Sequence, residues 1–427
     1  MMNFDCEVKV VDMMMGSGKT SAAINYMNAA SPDEKFLYIT PYLDEVERIK
    51  ESCSKKHFVD PRVIGTKLKG MKYLLEKGNN IVSTHALFRN FDMEIVSLCR
   101  RKNYTLILDE VADVVDVYPI SSIDFHSING EYINVSEETG MISWNPEQKK
   151  YKGVFDDIKH LCQIGGLAYY GDARLMQLFP IKIFNAFKKV IVMTYMFNAI
   201  LFFNSSTSCF KSYYFKMPYS YIYIRKDGNG NYTFTDNPDK AIPFNYDFKK
   251  LIHIFEDQKL NMTKRNGECA LSKSWYEKNS ETENMERLRK NICNFFINKR
   301  GTKSSQNLWT TFKDFKQQLS GKGYGRAFVP LNMRASNKYR DRVSVAYPVN
   351  RYLNTGIKNF FLQHGVKVDE DGFALSEMLQ FIWRSAIRDG KEIWIYVPSA
   401  RMRNLLKNWI AENSAGTPAE NAEEIIE

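Results

Sequence analysis

The sequence has no Cys-x-x-Cys pair: its seven cysteines, Cys6, Cys53, Cys99, Cys162, Cys209, Cys269 and Cys293, are scattered and odd in number. That argues against a zinc site and a disulfide framework and fits a reducing cytoplasm. Histidine is scarce, six residues in all, with no metal-binding spacing. Long apolar runs are missing too. The most apolar stretch, Val190 to Phe203, is interrupted by Asn198. It is too short for a bilayer and reads as a buried strand with its turn, so no membrane partner is expected. No signal peptide opens the chain.

What is present is a globular composition, with 44% hydrophobic, 25% charged and 14% aromatic residues. Disorder, collagen and small disulfide scaffolds are excluded by those fractions. A chain of 427 residues divides into two or three domains at roughly 150 residues each. The net charge of +10 is uneven: residues 1–200 sum to −1, residues 201–410 to +16, and 411–427 to −5. Such a balance suits a polyanionic partner.

Short apolar runs at 7–11, 35–40, 80–83, 104–108 and 189–194 alternate with amphipathic patterns at 43–54, 66–76 and 94–101. Buried strands separated by helices predict an α/β fold with a doubly wound parallel sheet. Residues 116–180 break the rhythm and read as an insertion. Asp227-Gly-Asn-Gly230 marks a hairpin turn in a β-rich linking region. A second α/β pattern follows, with strands expected at 268–272, 326–329, 342–347 and 392–397 and helices at 283–298 and 375–388. The expected domains are 1–204, a linker at 205–245, 246–411, and an acidic, disordered tail at 412–427.

The segment Gly16-Ser17-Gly18-Lys19-Thr20 carries the most chemistry. Binding a phosphate chain requires close-approaching backbone N–H groups, a helix N-terminus, a lysine for the terminal phosphates and a hydroxyl for Mg²⁺. The pattern G-x-x-x-x-G-K-[ST] is not met in full, since Met13 stands at its first glycine. Asp109-Glu110 ends a later apolar run: Asp109 suits Mg²⁺ held through water, and Glu110 suits polarising an attacking water. Arg384 and Arg388, four apart on the helix expected at 375–388, share one face. They would supply transition-state cations if the second domain folded back on the first. Residues 301–350 hold nine bases and two acids, interleaved with Trp309, Phe312, Phe315, Tyr324, Phe328, Tyr339 and Tyr347. Cations can neutralise phosphates and aromatics can stack on unpaired bases.

These residues resemble the superfamily-two (DEAD/DEAH-like) helicases, most closely compact bacteriophage-encoded ones. Gly16 to Thr20 looks like motif I, and Asp109-Glu110-Val111-Ala112 like a variant motif II. Thr40-Pro41 resembles motif Ia, and Ser83 to Leu87, with Thr84 and His85, the next backbone-contact motif. Thr194 stands in a variant motif III, which couples hydrolysis to movement. Leu271 to Ser274 is similar to motif IV, and Arg334 to Asp341, with Asn337 and Arg340, lies where motif V is expected. Gln380, Arg384 and Arg388 resemble motif VI, with Trp383 in place of glycine. No adenine-reading glutamine motif is visible ahead of the loop.

The resemblance implies two RecA-like domains with ATP and Mg²⁺ in the cleft between them. Met15, Gly16, Ser17, Gly18, Lys19, Thr20 and Gln380 would contact ATP, and Thr20 and Asp109 the metal. Lys19, Glu110, Arg384 and Arg388 would be catalytic. Thr40, Pro41, Thr84, His85, Asn337 and Arg340 would touch nucleic acid, DNA rather than RNA. The implied activity is an ATP-hydrolysing helicase or translocase of phage replication or recombination, in the host cytoplasm. Replication proteins such as a single-strand binding protein would be partners, and a monomer is compatible with this. Two rivals stay open: an origin-binding or replisome-loading nucleotide switch, and a packaging-type ATPase motor.

Overall fold

The computed structural model describes residues 6–414, apart from 42, 64, 111–114, 172–173, 180, 198–218, 244–245, 258, 262–266, 332–336 and 364–366. Two compact units form, Met1–Ile242 with Asn354–Val368, and Pro243–Leu353 with Asp369–Glu427.

The first unit is built on six parallel strands in the order Tyr219–Tyr221, Glu7–Asp12, Lys189–Thr194, Tyr104–Asp109, Lys35–Thr40, Ile81–Thr84. Tyr104–Asp109 is buried along its whole length. Its successive side chains enter opposite cores: Leu106 and Leu108 pack with Val10, Leu37 and Val192, while Ile107 packs with Val11, Phe36 and Ile191. A strand apolar on both faces needs cover on both. Helices Lys67–Lys77 and Met93–Arg101 cover the first core with Met71, Leu75, Ile95 and Leu98. Helices Lys19–Ala29 and Leu43–Ser52 cover the second with Ala22, Ala23, Met27, Val46 and Ile49. Start signals are local: the side chains of Thr66 and Asp92 accept from the amides of Lys69 and Ile95, filling donors that the first turn leaves open.

Between Asp109 and Lys189 the chain makes an antiparallel sheet, Val115–Tyr118, Leu175–Leu178 and Leu167–Tyr169, and a smaller pair, Ile133–Val135 with Ile142–Trp144. Helices Ser122–Ile128 and Asp156–Ile164 close a separate core around Phe125, Ile158, Leu161 and Leu175. The turn at Asp227 joins Tyr223–Lys226 to Tyr232–Thr235 in an antiparallel hairpin. The Asp227 carboxylate accepts from the amides of Asn229 and Asn231. This hairpin packs on helix Lys19–Ala29, where Asn25 donates its amide to the Tyr232 carbonyl at 2.9 Å.

The second unit holds four parallel strands in the order Ile252–Ile254, Ile393–Tyr396, Ser344–Ala346, Asn307–Trp309. Both sheets belong to the α/β class read from the pattern. Two expected strands are not strands. Residues 268–272 form turns, where Asn350 donates its amide to the Glu268 and Ala270 carbonyls and Ser272 caps helix Lys273–Asn279. Residues 326–329 enter from a 3-10 turn, Gly325–Ala327, and make a single bridge to Trp309. The sheet instead uses Ile252–Ile254 and Asn307–Trp309, three residues each, too short to show a period. Among the described residues no helix is long and apolar enough to cross a membrane. The tail beyond Ser414, most of the run after Phe197 and the 205 boundary lie outside the described residues.

Candidate functional site

Strand Glu7–Asp12 opens into a loop in which Gly16 and Gly18 take φ of 84° and 88°, values that only glycine adopts cheaply. Gly18 also needs to be small, because a Cβ there would lie 2.6 Å from the Tyr232 ring. Helix Lys19–Ala29 starts directly after it, so its free N–H groups and dipole favour an anion at the loop. Lys19 is buried, and its ammonium donates to the carbonyls of Met13 and, at 3.1 Å, Met14. The amide of Ser17 closes the loop onto the Met14 carbonyl at 3.2 Å. Met15 is half-buried beside the exposed Gly16.

Asp109 ends its strand in a buried position. Its Oδ2 accepts from the Tyr38 hydroxyl at 2.8 Å and lies 3.5 Å from the Thr20 hydroxyl. Burial pushes the Asp109 carboxyl up to about 7, and the neighbouring Glu110 charge adds to this. The Tyr38 hydrogen bond and the Lys19 charge oppose it. The Tyr38 phenol is pushed well above its usual range, by burial first and then by the Asp109 charge, so it stays a proton donor. Glu110 sits at φ 65° with its amide bonded to the Met193 carbonyl at 2.9 Å. A left-handed non-glycine residue costs roughly 1–2 kcal/mol, and such strain collects at functional sites.

Strand register brings in two further residues. Asp12 pairs with Thr194, and the Met13 amide donates to the Thr194 carbonyl at 3.1 Å. Asp12 accepts from the Phe197 amide at 3.0 Å, and burial raises its carboxyl. The Thr194 and Ser17 hydroxyls are buried without a hydrogen-bond partner among the described residues. Mg²⁺ is held by one or two carboxylates together with phosphate oxygens, and Thr20 with Asp109 fits that donor set. Among the described residues no group of three or more His, Cys, Asp and Glu side chains could hold an ion alone.

The structure thus brings together Lys19, Thr20, Asp109 and Glu110, with Thr194 at the root of the loop. His85, expected to touch nucleic acid, instead lies against the acid strand, its buried ring Nε2 3.1 Å from the Asp109 carbonyl. A carbonyl only accepts, so the ring donates there. Thr40 is fully buried and pairs with Thr84 of the neighbouring strand, which leaves it no exposed surface for the contact expected of it. Pro41 and Thr84 remain half-exposed. Val111 and Ala112 lie outside the described residues.

In the second unit Gln380 is half-buried on helix Glu370–Ile382. That helix ends before Arg384, and Arg388 belongs to a separate 3-10 turn, Ala386–Asp389. The shared helix face expected for the two arginines therefore does not exist. Trp383 caps the helix and packs against Phe248 and Trp409, and Ser385 is extended. Arg384 is 2% exposed and donates to the Pro330 and Leu331 carbonyls at 3.2 and 3.1 Å. Arg340 is exposed and paired with Asp389. Asn337 opens a 3-10 turn, and 332–336 of the expected motif V lie outside the described residues. Trp309, Phe315, Tyr324 and Tyr347 are core residues rather than stacking platforms, because burying their large apolar area outweighs exposing it.

Tyr38, Tyr232 and Asp12 were not singled out by sequence. Tyr38 sits between Leu37 and Ile39 in a mostly apolar strand and reads as packing, and Tyr232 reaches the loop only through the tertiary fold.

Comparison with known proteins places the chain near several. The family described as the YonV C-terminal Rossmann-like domain matches residues 246–410, and the YonV middle domain matches 115–177. The SPbeta prophage-derived protein YonV of Bacillus subtilis (strain 168) is 40% identical over 419 residues, covering 94% of this chain and 98% of that protein. Among solved structures, S. tokodaii Xpd4 is similar at 12% identity and a TM-score of 0.44, over 95% of this chain and 94% of its own. The DUF1998 helicase MrfA, bound to DNA and AMPPNP, is similar at 12% identity and a TM-score of 0.33, over 96% of this chain and 49% of its own.

Proposed function

The chain belongs to the family of the prophage-derived protein YonV, and we propose that it is an ATP-hydrolysing nucleic-acid motor, a helicase or translocase with DNA preferred over RNA. One juxtaposition supports this: Lys19 and Thr20 at a helix N-terminus, with the Thr20 hydroxyl 3.5 Å from the Asp109 carboxylate and Glu110 next to it. Met15, Gly16, Ser17 and Gly18 would wrap the phosphates, and Lys19 would leave the Met13 and Met14 carbonyls for the β and γ phosphates. Thr20 and Asp109 would hold Mg²⁺, which when bound neutralises charge on the phosphates. Tyr38 orients the Asp109 carboxylate. Glu110 would accept a hydrogen bond from the attacking water and align it. Thr194, bonded to the start of the loop, would pass loop movement into the sheet.

The finger role falls to Arg388, because the Arg384 guanidinium is committed to two carbonyls of its own unit. Gln380 remains assigned to the nucleotide, and Pro41, Thr84, Asn337 and Arg340 to nucleic acid. The +16 charge of residues 201–410 suits a polyanionic track.

The test is ATP turnover with and without single-stranded DNA or RNA, in wild type, Lys19→Ala and Glu110→Gln. Expected are strand-stimulated turnover in wild type and a loss of about 100-fold or more in both variants, with ATP binding kept in Glu110→Gln. No turnover with any polynucleotide sinks the motor. Binding without turnover in wild type points to the nucleotide switch. Duplexes with 3′ or 5′ overhangs separate unwinding from translocation.

A further inference from the structure

Residues 115–177 carry five Lys and Arg against nine Asp and Glu. In so acidic a domain, few cations among many acids would ordinarily pair off. Instead four of the five, Lys149, Lys150, Lys152 and Lys159, line one concavity of about 570 Å³ with Tyr151 and His160. Among the described residues, Asp156 is the one acid on its wall. None of the four lysines is ion-paired to a carboxylate among the described residues. Lys149, Lys150 and Lys152 are exposed, so three like charges stand within four residues of chain, with Asp156 as the one acid beside them among the described residues.

The loop that carries them is built. The Lys159 ammonium donates to the Lys149 and Tyr151 carbonyls, both at 2.8 Å, and lies over the Trp144 ring at 5.8 Å. The Trp144 indole donates to the Gln148 carbonyl at 3.0 Å. Tyr151 packs against Tyr132 and Trp144, with ring centroids 5.0 and 5.6 Å away. His160 Nε2 is buried with no hydrogen-bond partner among the described residues. One lysine and two aromatic rings thus fix the bend that holds the other three lysines together, which prepays the ordering a bound anion would otherwise require.

We propose that this concavity in the inserted domain binds the sugar–phosphate backbone of a single nucleic-acid strand, at a site apart from the nucleotide loop. Lys149, Lys150 and Lys152 contact successive phosphates, and half-exposed Tyr151 offers a ring to an unpaired base. Cations next to aromatics match a strand with both phosphates and accessible bases, and serve an acidic peptide less well. The assignment does not depend on ATP hydrolysis.

The experiment uses the full chain and a fluorescent oligodeoxythymidine strand, titrated over a salt series. Replacing all three exposed lysines (Lys149→Gln, Lys150→Gln, Lys152→Gln) is expected to weaken binding about tenfold or more at about 0.1 M salt. The slope of log affinity against log salt should fall by about 2, three contacts at roughly 0.7 each. Basal turnover without nucleic acid and the melting temperature should stay as in wild type, and the triple Lys→Arg variant should bind as wild type does. Tyr151→Leu should weaken single-strand binding more than duplex binding. Unchanged affinity and slope in the triple Gln variant overturn the proposal, as does a wild-type chain that binds no strand. A variant that loses only its binding to phosphatidylserine vesicles also overturns it, in favour of a membrane surface.

Discussion

Asp109 works against the usual preference of a carboxylate for water. Its strand is apolar on both faces, so the acid that ends it is buried beside a second acid, and Tyr38 offers a single strong hydrogen bond in return. The carboxyl sits at about 7 in the folded chain, against about 3.9 when unfolded. The folded state therefore holds a proton that the unfolded state has released, and stability falls as pH rises from about 4 through 7. In Mg²⁺-free buffer, Asp109→Asn is expected to raise the melting temperature at pH 8 by about 2 °C or more. The gain should shrink towards pH 4, and turnover should be abolished at every pH. An equal or lower midpoint at pH 8 would count against the buried charge. Tyr38→Phe removes the opposing hydrogen bond, so the rise of Mg²⁺-dependent turnover with pH should move to higher pH.

At the scale of elements, the glycine loop ahead of helix Lys19–Ala29 is held from two sides, by the sheet through Thr194 and by a hairpin through Tyr232. Sequence reads the loop directly, since glycine and lysine spacing dictates a tight turn before a helix. The hairpin turn is equally plain in Asp227 to Gly230, yet nothing local says that its second strand will lie on Gly18. Gly18→Ala meets both a positive φ and the Tyr232 ring, and is expected to destabilise by about 1–3 kcal/mol in denaturant titration. Tyr232→Ala in the same chain should recover part of that loss, and additivity in the double-mutant cycle would refute the contact. The C-terminal arginines show the converse. Their i, i+4 spacing reads as one helix face, but Trp383 is drawn into the Phe248 and Trp409 packing and the helix ends there.

For the whole molecule, charge is arranged by region. The first 200 residues sum to −1, the next 210 to +16 and the last 17 to −5. Removing residues 411–427 should tighten polynucleotide binding at low salt, with the effect fading as salt screens it. Unchanged or weaker binding in an anisotropy titration would rule out the tail as a competing polyanion. The sequence by itself determined the α/β class, the long buried strands of the first sheet, the glycine loop that opens a helix and the acid pair that ends a buried strand, because each is written in contiguous residues with a period or spacing that local geometry enforces. Only the tertiary structure decided which aromatics are core, where the short strands of the second sheet lie, that Tyr38 and His85 gather at Asp109, and that four lysines of an acidic insertion share one concavity. Those outcomes depend on side chains far apart in the chain competing for the same buried space, and no local pattern records that competition.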